Sequence, residues 1–423
     1  MFLRRNGKRR YRSMKNGSFW RSAPETKFWP DRVQELLLRA TLAPGAVAGE
    51  SYAKWLALAD CDHLDQGSYR MLPLLASNLG RQGIRDPFLK LCQGIHRHTW
   101  VRNQMQLSQT RELLKDFRRE GIPVMLLKGA ALALAYYADC GLRPFEDIDL
   151  LVPTAQAQPA FALLRRMGFL PCHFPGREIT REYSGIIHAV TMVNERGLVV
   201  DLHWHLLFEC LNPNDDADFW GASERLDKES DPLYVLCPTD QLFHACVHGC
   251  RHQVGGTNIP PIRWVADALT IMAVAGERID YRRLGQLARE RQLGLALKLT
   301  LGYLRDPWRA TLPESFLSEM ADWPVSAWER AELRTQQKTF GFLGPLPMIW
   351  RYYRRFKRNG ARDRIVRNFA SYLQHFFHFQ HRRDVLVFLA SKGIRNLGRW
   401  FRAKLRLPLH RHDLPFAKRS NPR

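Results

Sequence analysis

Apolar residues recur at three- and four-residue intervals over residues 35–42, 69–79 and 106–119, which predicts helices there; Leu113, Leu114 and Phe117 form one face of the last, and Gly121 ends it. The period then changes. Residues 122–127 form a short apolar strand, followed by Lys128-Gly129 and an Ala-rich helix over 130–138. A second strand is predicted at 148–152, after which Thr154 is placed to cap a helix running to Met167 and stopped by Gly168. Residues 186–193 and 198–204 read as a hairpin about 194–197, with Gly197 available for a positive φ. Helical spacing returns over 241–251, 261–274 and 281–303. The pattern thus predicts an α+β chain, a small mixed-sheet domain over 121–231 set between helical segments at 30–120 and 232–340. Residues 341–423 form a basic, aromatic-rich helical tail.

Charge refines this division. The formal net charge is +23, but residues 1–22 hold eight Lys/Arg and no acid, and residues 345–423 hold twenty against three acids. The body between them is therefore close to neutral. Residues 1–29 read as a basic disordered N-terminus, with Met14 as an alternative start. Eight scattered cysteines without a C-x-x-C pair fit a reducing compartment, and no apolar run reaches the ~18 residues of a membrane span. The expected location is cytoplasmic, with peripheral contact at the inner face of the membrane left open by the basic tail.

The chemistry gathers in the strands. Asp147 and Asp149 alternate with Ile148 and Leu150, so both carboxylates are expected on one face, roughly 7 Å apart. Such a pair repels unless a cation joins it, and Mg²⁺ favours a few carboxylates plus substrate phosphates. On the later strand Asp201 alternates with Val200 and Leu202, exposing a third carboxylate on the open sheet face together with His203 and His205. Lys128-Gly129 opens a helix, where backbone N–H groups and the helix dipole favour phosphate. Arg143 reads either as a phosphate contact or as the neutraliser of Asp147 and Glu146.

Leu-Leu-Lys-Gly-Ala-Ala (126–131), Arg143, Asp-Ile-Asp-Leu-Leu-Val (147–152) and Val-Asp-Leu-His-Trp (200–204) resemble the uncharacterised nucleotidyltransferase family NTP_transf_5, of the DNA polymerase β-like superfamily. The likeness extends upstream to Trp55, Leu64 and 72–79, and downstream to His244, His248 and the 263–267 stretch with Arg263 and Asp267. It implies that Asp147, Asp149 and Asp201 are metal ligands for Mg²⁺ or Mn²⁺, that NTP is a substrate, and that Gly129 holds its phosphates. Two departures stand out: Ala130 occupies a position where the superfamily carries Ser or Gly, and Lys128 precedes the glycine.

Other constellations have alternatives. His244, Cys246, His248, Cys250 and His252 read as packing, as a substrate pocket, or as zinc ligands, though helical spacing prevents all five from meeting one ion. In the tail, Trp350, Tyr352, Tyr353 and Phe356 interleave with Arg351, Arg354, Arg355, Lys357 and Arg358. That pattern suits a solvated helix face, RNA or an anionic membrane surface, as does 385–406. The expected activity is Mg²⁺-dependent transfer of a nucleoside monophosphate to an unidentified acceptor. Its rival is a non-catalytic adaptor of the same fold, docking on membrane or RNA.

Overall fold

A computed structural model describes residues 29–172, 179–226, 233–249, 262–336, 346–358, 366–377, 379 and 381–390. Five helices lead: α1 (Arg32–Leu42), α2 (Gly45–Leu56), α3 (Gln66–Tyr69), α4 (Leu72–Arg81) and α5 (Pro87–Arg119). The α/β part follows as β1 (Met125–Leu127), α6 (Lys128–Ala135), β2 (Ile148–Leu151), α7 (Ala157–Arg166), β3 (Leu170–Pro171), α8 (Arg181–Ser184), β4 (Ala189–Val193), β5 (Val199–His203), α9 (Ala217–Gly221), β6 (Glu224–Leu226) and β7 (Leu233–Val235). Helices α10 (Pro238–Gly249), α11 (Arg263–Ala275), α12 (Tyr281–Glu290), α13 (Gly294–Trp308), α14 (Glu314–Asp322) and α15 (Ala327–Gln336) come next. Helices α16 (Leu346–Arg358) and α17 (Phe369–Phe376) belong to the tail. The expected α+β arrangement is present.

The seven strands form one mixed sheet in the order β3-β4-β5-β2-β1-β7-β6. Strands β2 and β5 run parallel, whereas β1 is antiparallel to β2. The hairpin forms between β4 and β5, and Gly197 in its turn has φ +79°. Val200, Leu202 and Trp204 are fully buried against Ile148, Leu150 and α7, the core face that alternation predicts. The leading helices and α10–α14 share a second core, built on Leu37, Trp55, Leu75, Phe243, Ile271 and Leu301, to which the sheet contributes Met125, Leu127 and Leu151. The sheet therefore lies between two apolar layers, and helices distant in sequence wall its functional edge.

Several local expectations change. The strand at 122–127 forms only over Met125–Leu127, and the helix at 106–119 is the last part of the 33-residue α5. Thr154 does not cap α7. Residues Thr154–Gln156 form a 3-10 turn that puts Gln156 at the cap position, and the Thr154 hydroxyl donates to the Trp204 carbonyl at 3.1 Å. The helix expected over 281–303 is two helices, because Gln292 takes a left-handed φ of +54° between α12 and α13. In the tail, α16 buries Met348, Ile349 and Phe356, while residues 382–390 are helical; Ile394, Leu397 and Trp400 lie outside the described residues, as does the N-terminal basic segment. No described helix is long and apolar enough to cross a membrane.

Candidate active site

Strand register builds the centre of the site. Asp149 on β2 and Asp201 on β5 are direct partners in a parallel pair, so their side chains leave the same sheet face from strands about 4.8 Å apart. His203, two residues after Asp201, returns to that face. Ligand atoms of Asp149, Asp201 and His203 all lie within 4.8 Å of one another, the group with metal-ligand spacing among the described residues. Asp147 sits just before β2, in a bend rather than in the strand, and does not join this group, although it lines the same cleft.

Strand β1 brings the counter-charge. Leu127 pairs with Asp149 across the antiparallel β1–β2 ladder, and Lys128 follows at once as the first residue of α6. Its backbone takes a positive φ of 47°, unusual for a residue with a Cβ. The turn directs the Lys128 ammonium at Asp149, donating to Oδ1 at 2.6 Å, with His203 Nε2 at 3.3 Å. His203 Nε2 also meets the same Asp149 oxygen at 3.0 Å.

The electrostatics follow from burial and crowding. Burial, reinforced by the Asp149 charge, pushes the Asp201 carboxyl up to about 6, and the same two causes raise Asp147. Burial works against the charge on Lys128, but the charge and hydrogen bond of Asp149 together with the charges of Asp201 and Asp147 hold the ammonium above its ordinary value. Burial and the adjacent ammonium push His203 well below the imidazole range, leaving it neutral. Asp201 Oδ1 is buried with no hydrogen-bond partner. An orphaned carboxylate oxygen beside a second carboxylate and a neutral imidazole is a donor set that fits a divalent cation.

Gly129 is required for packing. A Cβ there would come within 2.6 Å of Phe145 Cβ, so a side chain would push α6 away from the loop preceding β2. Gly129→Ala is expected to destabilise the protein by about 1–3 kcal/mol, measured by denaturant unfolding. Ala130, where the resemblance anticipates Ser, is 1% exposed and packed in the sheet core, so its side chain is not at the cleft surface.

The cleft of about 410 Å³ runs from the carboxylates to α10 and α11. Its floor loop is pinned by α5: Arg102 Nη2 donates to the Phe145 carbonyl at 2.7 Å, and Asn103 Nδ2 to those of Cys140 and Arg143 at 2.7 and 3.0 Å. Arg143 lines the cleft but neutralises neither Asp147 nor Glu146 by direct contact. It holds Asp267 with both carboxylate oxygens, Nε at 2.7 Å and Nη2 at 2.8 Å, and gives Nη1 to the Pro144 carbonyl. Glu146 instead meets Arg70 at 2.9 Å. Asp267 lines the cleft and is claimed across 124 residues by Arg143 in place of an i,i+4 pair with Arg263, and Tyr137 donates to it as well. Arg263 consequently meets no carboxylate among the described residues; its Nη1 donates to the Pro144 carbonyl, and Nη2 is shielded without an acceptor. Burial and the Arg143 guanidinium push Arg263 well below the ordinary arginine range.

The remaining histidines separate by surroundings. His205 is fully buried and bonded through Nδ1 to Asp216 at 2.7 Å, away from the carboxylates, so burial corrects its expected place on an open face. His244 and His248 line the cleft on α10 with ring centroids 5.6 Å apart, whereas Cys246 is fully buried in the helical core. No metal-ligand group forms there among the described residues; Cys250 and His252 lie outside them. Alternation alone put His203 on the open sheet face. Its place beside Asp149 depends on the β2–β5 register, which local sequence does not specify.

Comparisons with known proteins agree with the sequence resemblance. The profile of a family described as uncharacterised nucleotidyltransferase matches residues 68–308. A solved structure, an antigenic nucleotidyltransferase-like protein from Paracoccidioides brasiliensis, is similar at 14% identity, covering 55% of this chain and 94% of that one with a TM-score of 0.30. No curated protein matches the chain.

Proposed function

The chain belongs to the uncharacterised nucleotidyltransferase family, and from that membership we propose that it transfers a nucleoside monophosphate from an NTP to an acceptor hydroxyl or phosphate, releasing pyrophosphate. The carrying observation is the in-register Asp149–Asp201 pair with a cationic side chain drawn to it. Asp147, Asp149 and Asp201 would hold Mg²⁺ or Mn²⁺, with the neutral His203 imidazole alongside. Such an ion, when bound, offsets phosphate charge and acidifies a coordinated oxygen nucleophile.

The chain's own groups have separable tasks. Asp201, the third carboxylate of the site, is placed to help activate an acceptor hydroxyl. Lys128 provides a positive charge for the phosphates once it leaves Asp149, and the first N–H groups of α6 at Gly129 favour the same anion. Arg143 remains with Asp267 and fixes the cleft wall, a positioning task in place of the direct phosphate contact. In the tail, α16 sets Arg351, Arg354 and Arg358 around the Trp328 ring, 5.3–5.9 Å from its centroid. This basic surface supports contact with an anionic partner, RNA or a membrane face, next to the transferase.

Thermal melting with each NTP in the presence and absence of Mg²⁺ tests nucleotide use. At least one Mg·NTP should raise the melting temperature, because a ligand that binds the native state stabilises it. No shift with any of the four would remove the reading. Stabilisation without transfer of label would instead favour the non-catalytic adaptor.

A further inference from the structure

Arginines line the cleft together with its carboxylates. Arg70, Arg143 and Arg263 line it together, while Glu146 is committed to Arg70 and Asp267 to Arg143. Among the described residues, Arg263 is the guanidinium of this cleft that meets no carboxylate. The arrangement differs from that of the other large cavity, whose arginines Arg283, Arg291 and Arg355 each meet an acid, respectively Asp240, Asp218 and Glu332. A part-buried arginine without a carboxylate is costly unless an anion answers it.

Further polar groups in this cleft lack partners. Arg70 Nε is buried without an acceptor, as is Arg263 Nη2. The carboxylates attract a cation, and the Arg263 guanidinium lining the same cleft attracts an anion. A phosphate chain carrying a divalent ion matches both.

We propose that Arg263, assisted by Arg70, forms an anion subsite that holds the polyphosphate tail of the nucleotide. This assignment rests on the nucleotidyl-transfer reading for its choice of ligand, but its binding test does not require turnover. Titration calorimetry with inorganic tripolyphosphate, NTPs and NMPs, each with Mg²⁺, measures the subsite directly. Wild type should bind tripolyphosphate and NTP more tightly than NMP. Arg263→Gln should weaken tripolyphosphate and NTP by about 10- to 100-fold, the range of lost charge-assisted hydrogen bonds, with little change for NMP. Arg263→Lys should recover part of the loss. Should Arg263→Gln fail to fold, Arg70→Gln is expected to give a smaller loss with the same selectivity.

Wild-type protein that binds no tripolyphosphate, or Arg263 and Arg70 variants that bind it as wild type does, would overturn the subsite. Equal weakening of NTP and NMP would also overturn it, since the anion would then not be the tail. Arg263-dependent tripolyphosphate binding without transfer of any nucleotide would retain the subsite and remove nucleotidyl transfer, so the two failures are distinguishable.

Discussion

Asp149→Asn should lower nucleotidyl transfer by at least ~10³-fold, equivalent to about 4 kcal/mol of lost transition-state stabilisation. Asp149 is 3% exposed and pairs in register with Asp201, while the Lys128 ammonium and His203 Nε2 converge on its Oδ1. Asparagine preserves the side-chain shape and an oxygen acceptor for Lys128. What it removes is the negative charge through which this face attracts a divalent ion. Circular dichroism and melting of the variant check that the fold persists, and transfer from labelled NTP reports the loss. Activity within tenfold of wild type would remove Asp149 from the ligand set.

Lys128→Met should destabilise the metal-free protein by about 3 kcal/mol, because removing one partner of a buried ion pair leaves the other uncompensated. The Lys128 ammonium is the cation nearest Asp149, and Asp147 and Asp201 add to the field that holds it there. Methionine keeps much of the stem packing while deleting the charge. Divalent metal should then restore stability, since Mn²⁺ supplies the positive charge that the variant lacks. Urea unfolding with and without Mn²⁺ separates the contributions. A Lys128→Met protein as stable as wild type without metal would show that Lys128 is not the counter-ion, and a destabilised variant unmoved by Mn²⁺ would show that the carboxylates do not take the ion.

Legibility in the sequence depended on how far apart the interacting parts lie. Ile148 and Leu150 alternating with Asp149, and Val200 and Leu202 with Asp201, identified two strands and their polar faces, because a period of two is local. The Gly197 turn was equally legible, since a positive φ strongly favours glycine. The Lys128–Asp149 contact was not, because it requires the antiparallel β1–β2 register and a left-handed backbone at a lysine. Nor was the Arg143–Asp267 pair, which joins a loop to a helix 124 residues away and leaves Arg263 without an acid among the described residues. The break between α12 and α13 also escaped, because the positive φ falls on Gln292 and not on the nearby Gly294. In each case tertiary packing selected among conformations that the local pattern left open.

The most direct test of nucleotidyl transfer follows the fate of each phosphate. Purified protein would be incubated with Mg²⁺, a cell extract as acceptor pool and either [α-³²P]NTP or [γ-³²P]NTP, with Asp149→Asn in parallel. Attachment of the α label to an acceptor, with the γ label released as pyrophosphate and both events lost in Asp149→Asn, is the predicted result. Attachment of the γ label would identify phosphoryl transfer instead, and no wild-type transfer of either label above the Asp149→Asn level would contradict the assigned chemistry.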